Sequence, residues 1–322
     1  MNGNINLLTS IQNTIIIGQV TIKQICIVLH MKNKKAKEVT MKKTILTVTI
    51  SILSVAILLF LLKTFTGVFG APKFIYMHSY VSSVLTRKEH RNGFVRPENV
   101  EEISITESNL KEAKSKLKYC DKIKDIDIHY PEDETLDNLS FLENQYNVEH
   151  LYIVGKCSDW SSMSSCKYTT ALGIMKSNFS DTGVLEDFRD LHELDIQTDS
   201  YVNYQGFDTL DSLESFYILG PNADIAQIVK ADSLNYLHIR YNKELTDFVD
   251  FEKSTSIKNL VFSNSVINKE YLESIAQMTC LEKLEFYTCE FNISKFEVIK
   301  LLSELSDSGT EIDITDDNTF ND

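Results

Sequence analysis

The chain has 322 residues, 43% hydrophobic and 24% charged, the proportions of a folded protein and not of a disordered one. It holds only 11 Gly and 4 Pro, which excludes long flexible linkers. The net charge of −14 is unevenly spread: residues 1–63 hold eight Lys and one acid, Glu38, while residues 64–322 hold 24 basic and 45 acidic residues, a net of −21. A surface that acidic repels phosphate backbones, so nucleic acid is not expected as a partner.

In chain order, residues 15–29 are apolar but broken by Gln19, Lys23 and Gln24, a poor membrane span. Met41-Lys42-Lys43 followed by an apolar run is a natural beginning for a membrane-targeted protein, so residues 1–40 read as an upstream extension. Residues 45–62 (ILTVTISILSVAILLFLL) carry no charge, and as a helix they cover roughly 27 Å, close to the hydrocarbon thickness of a bilayer. Lys32, Lys34, Lys35, Lys37, Lys42 and Lys43 precede this run, and only Lys63 and Lys73 follow closely. The positive-inside rule then places a basic segment 1–43 in the cytoplasm, a transmembrane helix over 44–63, and the rest outside. A cleaved signal peptide competes, but the run is longer than such a peptide's apolar region, and Phe69 and Pro72 spoil the small-residue site at Gly70-Ala71. Residues 64–99 would be a juxtamembrane segment and an N-terminal cap. Phe74, Ile75, Tyr80, Val81 and Leu85 predict a capping helix there.

From residue 100 one phrase recurs: apolar, two residues, apolar, one residue, apolar. Its clearest run is Leu191-Leu194-Ile196, Leu213-Phe216-Ile218, Leu234-Leu237-Ile239, Ile257-Leu260-Phe262 and Leu281-Leu284-Phe286, with starts 22, 21, 23 and 24 residues apart. Backwards lie Val100-Ile103-Ile105, Ile123-Ile126-Ile128, Val148-Leu151-Ile153 and a weaker Thr169-Leu172-Ile174; forwards lies a degenerate Gly309-Ile312-Ile314. Three apolar positions match by chance at about one start in twenty, so the regular spacing carries the argument. A period in the twenties predicts a solenoid over 100–322, each repeat burying its apolar side on the next. The last two apolar positions, two apart, face one side of a short strand. Residues 109–117, 268–278 and 294–305 have helical spacing, for example Phe296-Ile299-Leu302, and 203–211 reads as a loop. Asp313, Asp316 and Asp317 charge the last strand edge against pairing with another like it.

The phrase resembles the leucine-rich-repeat pattern L-x-x-L-x-L-x-x-N over about two-thirds of the chain. Asn242 fits the Asn position and Cys289 is its familiar substitute. Elsewhere that position holds Ser108, Pro131, Lys156, Ser177, Asp199, Pro221, Ser265 and Asp317, so irregular turns are expected in place of an Asn ladder. The resemblance implies an α/β fold: a right-handed solenoid with a parallel concave sheet, serving mostly protein–protein recognition.

On that register the concave face carries Tyr152, Val154, Met175, Tyr217, Leu219, Tyr236, His238 and Arg240 as an apolar-aromatic stripe across its middle. Asp125, Asp127, Glu193 and Asp195 flank or interrupt it. Aromatic residues and Arg are enriched at binding hot spots, so a protein or peptide partner with a basic or amphipathic surface is expected. Tyr and Val also favour strands for their own sake. The same aromatics could stack on sugars, which keeps a glycan of the cell envelope open as the alternative ligand, with a purely structural scaffold behind it.

No G-x-S-x-G, H-E-x-x-H, P-loop or G-x-G-x-x-G motif occurs, and Cys26 with His30 makes only half a zinc site. No catalytic residue, cofactor or metal is therefore assigned, and the chain is not expected to be an enzyme. Asp125, Asp127 and His129 alternate on one strand face, the spacing of a solvated acidic strand. Cys157 and Cys166 bracket a polar loop across which a disulfide is possible; core or turn thiols are the default for all the cysteines.

Overall fold

The computed structural model describes residues 34–65, 72–82, 91–220, 225–240 and 251–321. The chain divides into two compact units, Met1–Lys73 and Phe74–Asp322. Residues 1–33, including Cys26 and His30, lie outside the described residues, as do Leu85, Pro221 and Asn242.

The first unit contains the helix α1 (Lys34–Phe65). Its apolar run holds neither Gly nor Pro, and Ile45, Leu46, Ile52, Leu53 and Phe60 are each more than half exposed. The run is apolar on every side, with no polar face of its own to turn to water. Among the described residues no helix is long and apolar enough to cross a membrane.

The second unit begins with strands β1 (Ile75–Ser82), β2 (Arg91–Val95) and β3 (Val100–Thr106), followed by helix α2 (Glu107–Lys116). Then come β4 (Asp125–His129), β5 (Thr135–Asn138), β6 (His150–Val154), β7 (Lys156–Asp159), β8 (Ala171–Ser177), β9 (Glu193–Thr198) and β10 (Ser215–Leu219). After these lie a single helical turn α3 (Ile225–Ile228), β11 (Tyr236–Arg240), β12 (Asn259–Ser263), β13 (Val266–Ile267) and α4 (Lys269–Ile275). The unit ends with β14 (Lys283–Tyr287), β15 (Glu290–Phe291), α5 (Lys295–Asp307), β16 (Glu311–Ile314) and β17 (Thr319–Phe320).

Twelve of the strands form one sheet in the order β16-β14-β12-β11-β10-β9-β8-β6-β4-β3-β1-β2. All ten repeats, the two weak ones included, supply a parallel strand. Ile103, Ile126, Leu151, Leu172, Leu194, Phe216, Leu237, Leu260, Leu284 and Ile312 stand opposite one another from strand to strand. The apolar phrase thus becomes a continuous row, as the period demands. From Ile103 to Leu284 every member is at most 2% exposed. Rings fill the core beside the row: Phe207 packs on Phe216 at 4.9 Å between centroids, and in the adjoining inward row Phe262 of β12 stacks on Phe286 of β14 at 5.5 Å.

The turns are not left without polar partners. Asn178, one residue past the expected position, accepts hydrogen bonds from the Cys157 N–H and Trp160 Nε1 and donates to the Cys157 carbonyl, each at 3.0 Å. Thr198 donates to the Ser177 carbonyl at 2.9 Å. Asn318 accepts from the Cys289 N–H at 2.6 Å and donates to the Phe286 and Thr315 carbonyls. Asn and Thr side chains one residue from the pattern position do what a regular Asn ladder would do.

Two expectations are corrected. The N-terminal cap is not a helix: residues 75–82 form β1, antiparallel to both β2 and β3, because Ile75, Met77, Tyr80 and Val81 extend the sheet's own apolar layer. In α5 the buried stripe is Val298-Leu302-Leu305, while Phe296 and Ile299 are 76% and 55% exposed. Cys157 and Cys166 are both buried free thiols, as the default for the cysteines has it. Burial pushes the Cys166 thiol up to about 12, so it behaves as a core hydrophobe and not as a nucleophile.

Candidate functional site

Alternation along each strand sends one residue set to the core and the other to the open face of the sheet. Three rows cross that face. The middle row runs Asp127, Tyr152, Gly173, Asp195, Tyr217, His238, Val261, Glu285 and Asp313. One neighbouring row includes Val154, Met175, Gln197, Leu219, Arg240, Ser263 and Tyr287; the other includes His150, Ala171, Glu193, Ser215, Tyr236, Asn259 and Lys283. All eight predicted stripe residues lie on this face, half-buried, with Tyr152 a little more exposed.

The structure joins four of them in one cluster. The rings of Tyr217 and Tyr236 lie 5.2 Å apart, and His238 stands 5.9 Å and 6.5 Å from them. The Arg240 guanidinium lies 5.8 Å from the Tyr217 ring centre, within cation–π range. It crosses β10 to donate from Nη2 to Asp195 Oδ1 at 2.7 Å. Both members of this pair are largely withdrawn from water, with side chains 25% and 13% exposed. Arg240 Nε is buried without a hydrogen-bond partner. Gln197 Nε2 donates to the other oxygen of Asp195 at 3.2 Å.

Tyr152 reaches the cluster across a glycine. A Cβ on Gly173 would stand 2.6 Å from the Tyr152 ring, so this ring occupies the space a side chain would fill. Val154, Met175 and Leu219 stay in the adjoining row. Val154 lies in a separate hollow of about 470 Å³ lined also by Glu107, His129, Tyr130, Glu132 and Lys176.

Beyond β11 the face continues with a second polar network. Lys283 Nζ and the Tyr287 hydroxyl both donate to Glu285 Oε1, at 2.8 and 2.6 Å. Burial works to raise the pKa of Glu285, but these two hydrogen bonds outweigh it and hold the carboxyl below the usual range. Burial, then the neighbouring carboxylates Glu193 and Asp195, raises the Tyr217 phenol; burial leads for Tyr236 and Tyr152 as well. All three hydroxyls are neutral hydrogen-bonding groups at physiological pH.

His238 is bonded through Nε2 to Ser263 Oγ at 2.8 Å. Burial, then the positive charge of Arg240, drives its pKa down to about 4 against the pull of Glu285. Between that value and the ordinary 6.5 the unfolded chain binds a proton that the folded protein excludes. The stability contributed by neutral His238 is therefore complete above pH 6.5 and is lost as pH falls toward 4. Denaturation midpoints of residues 74–322 across this window are expected to fall with pH, and His238→Gln, which keeps a partner for Ser263, is expected to flatten the slope. An unchanged slope would mean that other groups set it.

Sequence reasoning saw Asp195 only as a flanking acid and gave Gly173 no role. Asp195 and Arg240 sit in adjacent rows two strands apart, a span of roughly 10 Å that an Arg side chain can bridge. Writing the register out in rows reveals the pair; a list of residues by repeat conceals it. Among the described residues no group of His, Cys, Asp or Glu is arranged to hold a metal ion.

No protein-family model matches the chain, and no curated protein matches it by sequence. Among solved structures it is similar to an internalin (InlF) from Listeria monocytogenes, at 17% identity and TM-score 0.47, covering 65% of this chain and 78% of that one. It is also similar to internalin C2 of the same species, at 14% identity and TM-score 0.43, covering 59% and 78%. A third similarity is to a leucine-rich-repeat protein of Leptospira interrogans, at 12% identity and TM-score 0.35, covering 70% and 74%. Likenesses at this level transfer no residue roles; the solenoid rests on the strand register itself.

Proposed function

We propose that this chain is a membrane-anchored leucine-rich-repeat recognition protein that binds a protein or peptide partner on the open face of its sheet. It acts by binding and not by catalysis. The observation that carries the reading is the joined cluster of Tyr217, Tyr236, His238 and Arg240, with Tyr152 beside it. Rigid aromatic rings and a preoriented Arg at the middle of a face form an anchor that loses little entropy on binding. Eight carboxylates on the same face (Glu102, Asp125, Asp127, Glu193, Asp195, Glu285, Glu311 and Asp313) outweigh Arg240 and Lys283. That excess of negative charge favours a basic or amphipathic contact surface.

The anchor is residues 45–62, with the N-terminus in the cytoplasm and residues 64–322 outside. The uncharged run in α1 and the Lys bias before it support this placement.

The test is affinity capture with residues 74–322 as bait against solubilised membrane and surface material. Wild type is expected to retain a reproducible protein partner, and Tyr217→Ala with Tyr236→Ala to weaken retention at least about 30-fold, the scale of two hot-spot rings. Equal capture by the double variant would remove the cluster from the binding site. Capture of glycan alone would exchange the protein ligand for an envelope polymer.

A further inference from the structure

Two acids of β9 interrupt the aromatic stripe, and they differ in what they hold. Asp195 is engaged within the protein: Arg240 Nη2 donates to one of its oxygens at 2.7 Å and Gln197 Nε2 to the other at 3.2 Å. Glu193, two residues earlier on the same face, is exposed, and among the described residues its carboxylate has no hydrogen bond or ion pair. A lone exposed carboxylate is an ordinary solvated side chain. The surroundings set this one apart.

β9 runs between two rings. Tyr152 lies over Gly173 of β8 on one side, and Tyr217 stands on β10 on the other. Two strand spacings separate β8 from β10, roughly 10 Å. In the row of Glu193 the direct neighbours are Ala171 and Ser215, so neither adjacent strand covers the carboxylate with a long side chain. Tyr236 follows in that row on β11, its ring 5.2 Å from that of Tyr217. The hydroxyls of Tyr152, Tyr217 and Tyr236 make no hydrogen bond among the described residues. The charge of Glu193 also reaches both flanking rings, since it helps to raise the Tyr217 and Tyr152 phenols.

The cations of this part of the face are already matched. Arg240 is paired with Asp195 and Lys283 with Glu285. His150 is bonded through Nδ1 to Asp125, and His238 is neutral at physiological pH. The charge left over between the two rings is the single negative charge of Glu193.

We infer that Glu193, between Tyr152 and Tyr217, is the seat for one basic side chain of the partner. This rests on the reading of the face as a recognition surface and names the chemistry it selects. An arginine fits the seat best: its planar fork donates two parallel hydrogen bonds to a carboxylate, and its flat faces meet aromatic rings. An acidic side chain at the same place is rejected, because Glu193 repels it and Asp195 already holds Arg240.

The probe is N-acetyl-arginine methylamide, with its neutral citrulline analogue as the control. Residues 74–322, which contain the whole apolar core, are labelled on their tyrosine rings and titrated while their NMR signals are followed. Tyr152→Phe and Tyr217→Phe identify the two signals. The arginine probe is expected to shift both saturably, and the citrulline analogue to shift neither. Glu193→Gln, an isosteric change at an exposed position, is expected to weaken the probe at least about fivefold, the upper scale of one surface ion pair. Glu311→Gln, at the end of the sheet, is expected to leave it unchanged. Absence of a saturable shift, equal shifts from citrulline, or equal binding by Glu193→Gln would each overturn the inference. Partner capture unchanged by Glu193→Gln would overturn it too. If Tyr217→Ala with Tyr236→Ala still loses the partner, the recognition face stands and only the basic seat falls; equal capture by that double variant removes the face itself.

Discussion

Phe216→Ala is expected to cost about 4 kcal/mol, and Phe296→Ala less than about 0.5 kcal/mol, although both lie within the repeats. Phe216 is 0% exposed and sits in the fifth of the ten parallel strands counted back from the C-terminus. Its ring packs at 4.9 Å on Phe207 and 5.9 Å from Tyr204. Truncation opens a cavity that the neighbouring strands cannot close, since each is fixed by its own hydrogen bonds to the next. In a solenoid the penalty is not confined to one repeat, because stability is a sum of repeat and nearest-neighbour interface terms. The damaged rung weakens its contacts with β9 and β11 together and divides the array near its middle. Phe296 is 76% exposed on α5, and its removal uncovers nothing. Urea denaturation of residues 74–322 measures both. Equal midpoints for the two variants would contradict the assignment of inward and outward positions.

The same two residues mark what the sequence could and could not tell. Phe216 belongs to a phrase fixed by the two-residue alternation of a strand and repeated at a near-constant interval. Periodicity of that kind survives weak members: Thr169 and Gly309 stand where an apolar residue is expected, yet β8 and β16 form in register. Phe296 belongs to a helix of 13 residues. Over so short a span Phe296-Ile299-Leu302 and Val298-Leu302-Leu305 are both acceptable helical stripes. Only the packing against α4 and the last strands selects the second.

The N-terminal cap failed for a related reason. A short run such as IYMHSYV suits a buried strand as well as a helix, and the partner that decides between them is β3, some twenty residues later in sequence. The turns are irregular, as expected, and their polar groups lie one position from where the repeat pattern puts Asn: Asn178 and Asn318 bond the turns in place of 177 and 317. On the open face, membership of each row was readable from strand alternation. The side-chain directions were not. That Tyr152 lies over Gly173, and that Arg240 reaches past Tyr217 to Asp195, depends on which neighbour leaves space and which supplies charge.

That last contact sets the second large effect. Asp195→Ala is expected to destabilise the protein by about 2–3 kcal/mol, toward the low end for breaking a buried ion pair because Arg240 keeps a quarter of its side-chain exposure. The loss strands a guanidinium whose Nε already has no hydrogen-bond partner. Arg240→Met is expected to cost less, since Asp195 retains Gln197 as a donor and the Met side chain still covers Tyr217. The double variant Asp195→Leu with Arg240→Met removes both charges and is expected to recover most of the stability, because desolvating the pair offsets much of its attraction. A double-mutant cycle measured by denaturation, with Asp195→Leu and Arg240→Met as its single variants, isolates the coupling, expected at roughly 1.5 kcal/mol or more. Additive single effects would mean that the two charges are independently solvated. Recovery of stability without recovery of partner capture separates the two roles of the pair. With that result, packing would tolerate the replacement, whereas recognition would need a charge held in place over Tyr217 at the centre of the face. That outcome would explain why a costly buried ion pair stands where an apolar contact would fold as well.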